Sequence, residues 1–160
     1  MPDTRDIRPD DYRALAELRF LIRRFLAFSE TSAREADVEP QQHQLLLVLK
    51  ALRPPDRPTI RAAAERLLIQ HNSAVELVSR SVDRGLIERR PGEHDRREVL
   101  LHITPRGQRV LRRLTLAHRR ELESAAPALL GALDALLRGG RPGRASKHRV
   151  NGKGRVDTES

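Results

Sequence analysis

The chain has 160 residues, enough for one domain with short appendages, and its 31 Lys and Arg against 22 Asp and Glu give a formal net charge of +9. This balance favours an anionic partner. Cysteine is absent, which excludes a disulfide scaffold, cysteine-ligated zinc and a cysteine redox switch. No apolar run approaches the roughly 18 residues that span a membrane, and no secretory signal is visible. We therefore expect a cytoplasmic protein without a membrane partner.

The positive charge is concentrated towards the C-terminal end. Residues 138–160 contain seven Lys or Arg and two acidic residues, a net charge of +5, and almost no apolar side chains. This composition predicts a basic disordered tail, which either attracts phosphates nonspecifically or is simply solvated. Residues 59–104 contain eight Arg and seven acidic residues. The net charge of this stretch is therefore only +1, so charge alone does not single it out as a binding site.

The N-terminal part predicts a long amphipathic helix over residues 11–35, with Asp10 or Asp11 as its cap. Its apolar side chains follow 3-4 spacing, and they include Leu15, Leu18, Ile22, Phe25 and Phe28. The apolar face is wide, so two interpretations stay open. One is ordinary core packing, and the other is packing against both the domain and a second subunit.

A second helix is expected over residues 41–52, with Pro40 in its first turn. His43 lies near the start of this helix. The ordinary interpretation is a partly buried or solvent-facing histidine, and the alternative is a role in a ligand pocket or a metal site. Three prolines in residues 53–58 then prevent the helix from continuing.

Residues 59–104 predict a helix, a turn, a second helix and a hairpin. Thr59 is the expected cap of the first, short helix. The second helix is predicted to start at Ser73, because the stretch from Ser73 to Glu76 has the Ser-x-x-Glu pattern of a capping box. Gly85 is expected to end that helix in a left-handed conformation. Together these elements predict a compact DNA reader.

Two short strands are expected over residues 86–90 and 99–103, joined by a turn that contains Pro and Gly. Thr104 is the expected cap of a fifth helix, with Pro105 in its first turn.

The C-terminal helical region is predicted to break once. The fifth helix should reach about Ser124, residues 125–127 should interrupt it with a proline, and a final apolar helix should follow to residue 137. Such an apolar helix needs a surface that buries it. The helix over residues 11–35 is the expected partner, in the same chain or in a second copy.

A helix-turn-helix places the N-terminal end of its second helix in the major groove, where base edges present distinct donors and acceptors. Asn and Gln can pair with adenine, and Glu can accept a hydrogen bond from cytosine. The candidate base- or phosphate-contacting residues are Gln70, His71, Asn72, Ser73, Glu76 and Arg80. Two of these residues have a competing interpretation. The Ser73 hydroxyl could instead cap the helix, and His71 could be only a turn residue.

The hairpin carries four arginines near its turn, which are Arg89, Arg90, Arg96 and Arg97. A charged loop is usually just solvated. Arginines placed soon after a groove-reading helix instead suggest a wing on the adjacent minor groove or DNA backbone. Asp95 is expected to fix the Arg97 side chain by ion pairing, which would lower the entropy lost on binding.

This passage resembles the winged-helix regulators of the MarR (multiple antibiotic resistance regulator) family. The matching features are Gly85-Leu-Ile-Glu-Arg-Arg90, the wing motif Asp95-Arg-Arg97, Leu101-His-Ile-Thr-Pro-Arg-Gly107, and the order of elements. The resemblance implies a mainly α fold with a small β-hairpin, in which a winged helix-turn-helix is flanked by N- and C-terminal dimerisation helices. The implied ranges are one domain over residues 10–137, the reader over 59–104, and dimerisation helices over 11–35 and 105–137.

The resemblance also implies a homodimer that controls transcription at palindromic double-stranded DNA, often as a repressor that a small-molecule effector releases. By position, Arg97 would be the minor-groove arginine, Asp95 its orienting partner, and Ser73 with its neighbours the base-reading end. No cofactor or metal is expected.

Three positions depart from the family pattern. Ser81 stands where a Leu is usual, which predicts looser packing of the recognition helix. Glu39 stands where a Thr or Ser often caps the second helix, and Ala74 replaces a common Thr that can contact DNA. No ligand-pocket residue transfers by motif. The pocket is a geometric guess, formed by Phe25, Phe28, His43 and Leu47.

Two other classes of function were weighed against a DNA-binding regulator. The first is a winged-helix protein-interaction module without DNA specificity. The second is an enzyme, which is disfavoured because the candidate clusters at residues 118–121 and 93–95 lack a convincing zinc-ligand partner. No activated nucleophile or phosphate-binding glycine loop accompanies them.

Overall fold

The computed structural model describes residues 7–92 and 95–138. The basic disordered tail was expected over residues 138–160, and residues 139–160 lie outside the described range. The elements in chain order are α1 (Pro9–Glu35), α2 (Pro40–Ala51), α3 (Ile60–Leu67), α4 (His71–Asp83), β1 (Ile87–Pro91), β2 (Val99–Ile103) and α5 (Pro105–Arg138). The prediction of a mainly α fold with a small β-hairpin is confirmed.

Helix α1 begins earlier than the sequence pattern indicated. Its N-cap is Arg8, and Pro9 takes the first helical position, where the missing N–H of proline costs nothing. Asp10 and Asp11 therefore lie in the first turn, so the prediction that one of them is the cap was wrong. The Asp11 carboxylate instead reaches back and accepts a hydrogen bond from the Arg8 backbone N–H at 2.9 Å.

Helix α3 is capped as expected, because the Thr59 hydroxyl oxygen accepts a hydrogen bond from the Ala62 N–H at 3.2 Å. The helix ends at Leu68, which has a left-handed φ of 55° and turns the chain towards α4. The side chain of Leu68 is 91% exposed, so it makes no buried contacts that this conformation would disturb.

Helix α4 begins two residues before the predicted start. Its N-cap is Gln70, and the Gln70 carbonyl accepts the first helical hydrogen bond from the Ala74 N–H at 3.0 Å. The prediction of a capping box at Ser73 was therefore wrong, since Ser73 is already the third helical residue. The left-handed Leu68 redirects the chain early enough for the helical ladder to start at Gln70.

The end of α4 and the hairpin follow the predictions closely. Gly85 has a φ of 66°, which a side chain would strain, and it separates α4 from β1. The strands pair antiparallel in a register that sets Ile87 opposite Ile103 and Arg89 opposite Leu101.

The first turn of α5 is locked against the end of α4. The Thr104 hydroxyl donates a hydrogen bond to the Gly85 carbonyl at 2.6 Å and accepts one from the Gly107 N–H at 3.1 Å, so the predicted cap is confirmed. Gly107 lies so close to β1 that a Cβ atom there would stand 2.1 Å from the Leu86 carbonyl oxygen. A glycine is therefore required at this crossing. We call Gly85, Leu86, Thr104 and Gly107 the joint.

Helix α5 is continuous from Pro105 to Arg138, so the predicted interruption near Pro127 was wrong. A proline inside a helix removes one backbone hydrogen bond. Here the flanking alanines are strong helix formers, and α5 packs against α1. No helix among the described residues is long and apolar enough to cross a membrane.

The core lies between α2, α4, the hairpin and the first half of α5. Its largest fully buried apolar side chains are Leu45, Leu46, Leu77, Val78, Leu86, Ile87, Leu101 and Leu114. Because α2 contacts α1, α3, α4, α5 and β2, it connects the α1–α5 helix pair to the reader.

Candidate nucleic-acid interface

The N-terminal end of α4 separates its two faces cleanly. Ala74, Leu77, Val78 and Ser81 are buried against the core. The opposite side and the first turn are exposed, and they carry the polar candidates Gln70, His71, Asn72, Ser73 and Glu76. These side chains are therefore available to a molecule that approaches the helix end, as base reading requires.

Ser81 is fully buried rather than loosely packed at a surface. Its hydroxyl donates a hydrogen bond to the Leu77 carbonyl at 2.7 Å, which satisfies the one polar group that the replacement of a leucine introduces. A buried hydroxyl without such a partner would be costly. Helix α4 thus keeps a buried face on which the Ser81 hydroxyl is hydrogen-bonded.

Arg80, in the second half of α4, and Arg84, which directly follows α4, are tied to the turn between α1 and α2. The Arg80 Nε atom lies 3.2 Å from the Glu39 carboxylate. Arg84 donates to the Asp37 backbone carbonyl at 2.9 Å, and its guanidinium lies 3.5 Å from the Asp37 carboxylate. Ion pairs between exposed side chains contribute only about 0–1 kcal/mol, so a DNA phosphate could replace Glu39 at Arg80.

The first arginine of the hairpin points back at the recognition helix. The Arg89 guanidinium donates to the Ser79 hydroxyl at 2.9 Å, and that hydroxyl donates in turn to the Val75 carbonyl at 3.0 Å. Arg90 is ion-paired with Glu88 on the same strand. Arg89 therefore links the hairpin to α4, in addition to any contact it makes with DNA.

Asp95 holds the backbone of the hairpin turn. Its carboxylate accepts a hydrogen bond from the Arg97 backbone N–H at 2.9 Å, as in an Asx turn. The expected ion pair with the Arg97 guanidinium is not what the structure shows, because the carboxylate bonds the backbone. Arg96 and Arg97 both have exposed side chains. The two residues between Gly92 and Asp95 lie outside the described residues.

The turn end of the hairpin and strand β2 contact the loop that precedes α3. The Arg57 guanidinium lies 2.6 Å from the Glu98 carboxylate, and the Gly92 N–H donates to the Glu98 carbonyl at 2.9 Å. The Leu101 N–H donates to the Pro58 carbonyl at 2.7 Å. The Arg57 and Pro58 contacts tie the hairpin to the loop before α3, and Arg89 ties it to α4, so the hairpin and α4 belong to one scaffold.

Three of the four guessed pocket residues gather around a histidine of α5. The ring of His118 lies 5.7 Å from Phe25, 5.5 Å from Phe28 and 4.8 Å from His43, measured between ring centroids. Leu47 does not join them. It is 40% exposed and lines a separate shallow depression with Val48, Ala51, Leu52 and Arg66.

Comparisons with known proteins agree with this geometry. Residues 36–98 match the sequence model of the MarR family. No curated protein matches the chain significantly. The solved structure of RV1404 from Mycobacterium tuberculosis is similar with a TM-score of 0.64 at 26% identity, covering 87% of this chain and 99% of that one. Over residues 36–98 the chain is therefore similar to the MarR family, and its fold is similar to that of RV1404.

Two other solved structures have a similar fold. A mutant of MepR from S. aureus, bound to an oligodeoxyribonucleotide, has a TM-score of 0.58 at 18% identity, covering 74% of this chain and 88% of that one. CouR from Rhodococcus jostii RHA1, bound to p-coumaroyl-CoA, has a TM-score of 0.57 at 20% identity, covering 76% of this chain and 86% of that one. At these identities the likeness concerns the fold alone.

Sequence reasoning did not assign roles to three residues that organise this site. Asp37 and Ser79 hold arginines of α4 and β1, and nothing in their spacing signals a partner so far away in the chain. His118 lies on the apolar stripe of α5, which was the available signal that it faces inwards. Its partners on α1 and α2 depend on tertiary packing.

Proposed function

We propose that this chain is a sequence-specific DNA-binding transcription regulator that acts as a homodimeric repressor at a pseudo-palindromic operator. The observation that carries this proposal is the exposed polar N-terminal end of α4 beside a hairpin whose arginines are also exposed. A helix end of this kind fits the major groove, while arginines of a wing fit the adjacent minor groove.

The proposed base contacts come from the first turns of α4. Gln70 and Asn72 have side-chain amides that can pair with adenine, and Glu76 can accept from cytosine. Ser73 is not used as a cap, so its hydroxyl is available for a base or a phosphate, and His71 is exposed beside it. Arg80 would contact a phosphate or a base in exchange for its ion pair with Glu39.

The proposed wing contacts come from the hairpin. Arg97 is the residue proposed to enter the minor groove, with Asp95 holding the turn that presents it. Arg90 and Arg96 are exposed and can add phosphate contacts. Arg89 is proposed to keep the hairpin in register with α4 through Ser79.

The proposed dimer buries apolar side chains that α1 and α5 expose in one copy. An exposed apolar surface of this extent on a soluble domain marks an interaction site. Two readers related by a two-fold axis would bind half-sites about one helical turn apart. The exposed apolar residues of the two helices are Tyr12, Leu15, Phe20, Ile22, Leu26, Leu116, Leu122, Leu130, Leu133 and Leu137.

A small-molecule effector is proposed to release the repressor from DNA. Its proposed site is the cluster of Phe25, Phe28 and His43 around His118, which lies where α1, α2 and α5 meet. The CouR structure with p-coumaroyl-CoA gives this part of the proposal a precedent in the same fold.

The test of DNA binding is selection of duplexes from a random pool by the purified full chain. We expect a two-fold symmetric sequence with half-site centres about 10 base pairs apart, since each copy presents one reader. A dimer in solution and a two-copies-per-duplex complex, measured by light scattering, should accompany it. No sequence enriched over random DNA, together with a stable complex with another protein, would favour the interaction-module alternative.

A further inference from the structure

His43 is a buried histidine with nothing to bond. Its side chain is 1% exposed, and within the described residues neither ring nitrogen has a hydrogen-bond partner. A buried polar group without a partner costs free energy. The ring is therefore held as a neutral, tightly packed group, and a positive charge on it would be much more costly than the neutral form.

The neighbouring His118 cannot supply the missing bond. Its Nδ1 atom lies 2.7 Å from the Leu114 carbonyl, so Nδ1 carries the proton and donates. Its Nε2 atom lies 2.8 Å from the Ser29 hydroxyl of α1, which donates to it. Both ring nitrogens of His118 are thus occupied, Nδ1 within α5 and Nε2 across to α1, while its ring packs against that of His43 on α2.

The groups around His43 do not offset a positive charge. The elements packed against α2 are α1, α3, α4, α5 and β2, and the titratable group whose charge acts on His43 is His118, which opposes protonation. Near His118, α1 presents the uncharged Phe25, Phe28 and Ser29. In the part of the chain that the structure describes, these elements also carry charged groups that are already ion-paired, namely Glu30–Arg34 on α1, Arg61–Glu65 on α3, and Arg80 of α4 with Glu39. On β2, His102 lies opposite Glu88, and on α2 itself Lys50 is exposed.

We propose that protonation of His43 opens the junction of α1, α2 and α5 and thereby weakens DNA binding as the pH falls. The inference rests on the proposed function, because it describes how the same DNA-binding site is regulated. Its ligand is the proton, and its sensor is the buried His43, which packs against the partly buried His118.

The direction of the effect follows from linkage. Burial and, to a smaller extent, the charge of His118 lower the pKa of His43 from 6.5 to about 4 in the closed junction. In an open junction that admits water, the pKa would return to its ordinary value. The open form therefore binds a proton more readily, and the closed form loses its advantage as the pH falls below about 6.5. Between pH 7.5 and 5.5 the balance shifts by up to about tenfold towards the open form.

A short path connects the junction to the reader. His43 follows Gln42, whose side-chain oxygen accepts a hydrogen bond from the Glu39 N–H at 3.0 Å. Helix α2 also packs directly against α4, the recognition helix. A displaced first turn of α2 would therefore disturb the support of α4, and binding to DNA would have to restore it.

The experiment measures affinity for one duplex, selected from random DNA by the full chain at pH 7.5, at both pH 7.5 and pH 5.5 and at constant salt. We expect the wild-type affinity to fall by up to about tenfold at pH 5.5. His43→Gln removes the titrating group and has a side chain of similar size, so this variant should have the same affinity for the duplex at both pH values. His102→Gln is the control, and it should lose affinity as the wild type does.

The sign of the change separates this mechanism from surface effects. Protonation of an exposed histidine in the recognition helix, such as His71, would add positive charge and strengthen phosphate binding at low pH. An equal fall in affinity for the wild type and His43→Gln overturns the proposal, as does a wild-type affinity that stays constant or rises. A pool that yields no selected duplex at pH 7.5 overturns the proposed function as well, so the two failures are distinguishable.

A second measurement avoids dependence on the folding of the variant. Hydrogen exchange of the wild-type chain, corrected for the intrinsic pH dependence of amide exchange, should show lower protection of α2 and of the facing parts of α1 and α5 at pH 5.5. Unchanged protection of these segments between the two pH values contradicts an opening of the junction.

Discussion

At the recognition surface, the arginines of α4 and of the hairpin are exposed, and their partners in the free protein are partly exposed side chains, such as Glu39 and Ser79. At the joint behind it, Thr104 and Gly107 meet Gly85 and Leu86 in direct backbone contact. Exposed ion pairs contribute about 0–1 kcal/mol each, whereas closely packed interiors tolerate little change in volume. In the proposed complex the surface would exchange these partners for DNA, and the joint determines where that surface points.

The comparison is sharpest at the two glycines of α5. Gly107→Ala places a Cβ atom 2.1 Å from the Leu86 carbonyl oxygen. The backbone of Leu86 leads directly into β1, so it cannot move aside without moving the hairpin. Overpacking of this kind typically costs about 1–3 kcal/mol and occasionally more, and we expect the upper end because the obstacle is backbone. Urea denaturation of the purified variant measures the loss.

Gly131→Ala is the matched control for that variant. A Cβ atom at Gly131 would meet nothing within 4 Å, and the residue is exposed within the same helix. Because alanine favours helix over glycine, this change should stabilise the chain by roughly 0.5–1 kcal/mol. Equal effects of the two changes would contradict the close crossing at the joint.

Arg97→Ala probes the recognition surface in the opposite way. The side chain is exposed, so the free energy of unfolding should change by no more than about 0.5 kcal/mol. Affinity for a selected duplex should fall by about 1–3 kcal/mol if the guanidinium enters a groove. Gel shift or fluorescence anisotropy gives the affinity.

The control for Arg97→Ala is Arg119→Ala. Arg119 is similarly exposed but lies on α5, ion-paired with Glu123 at 2.8 Å. It should leave DNA affinity unchanged. An affinity loss at Arg119 equal to that at Arg97 would mean that general positive charge, and not the position of the wing, determines binding.

Asp95 tests how the turn presents Arg97. Asp95→Asn keeps an oxygen that can accept from the Arg97 N–H, whereas Asp95→Ala loses the Asx-turn bond. We expect the alanine variant to weaken DNA binding by about 1 kcal/mol and the asparagine variant to bind almost as the wild type does. Asparagine and alanine variants that lose the same affinity would instead restore the ion-pair interpretation.

The sequence predicted the order of the helices and the hairpin because their signals are local, whereas the close crossing of Gly107 over Leu86 in the joint was not predicted. Thr59, Gly85 and Thr104 act on backbone within a few residues, and each was assigned correctly. The position of the α4 start was missed because Leu68, a residue with no turn preference, adopts a left-handed conformation. The ties of Arg80 to Glu39 and of Arg89 to Ser79 were missed because they are tertiary.

The smallest expected effect distinguishes the predicted start of α4 from the observed one. Ser73 is the third residue of α4 and exposed, so Ser73→Ala should change the free energy of unfolding by no more than about 0.5 kcal/mol. Thr59→Ala removes a true N-cap and should cost about 1 kcal/mol. Both are measured by urea denaturation. A cost at Ser73 that matches the cost at Thr59 would move the helix start back to Ser73. If Ser73 reads a base as proposed, its alanine variant should lose affinity for DNA while keeping this stability, so one substitution separates a capping role from a reading role.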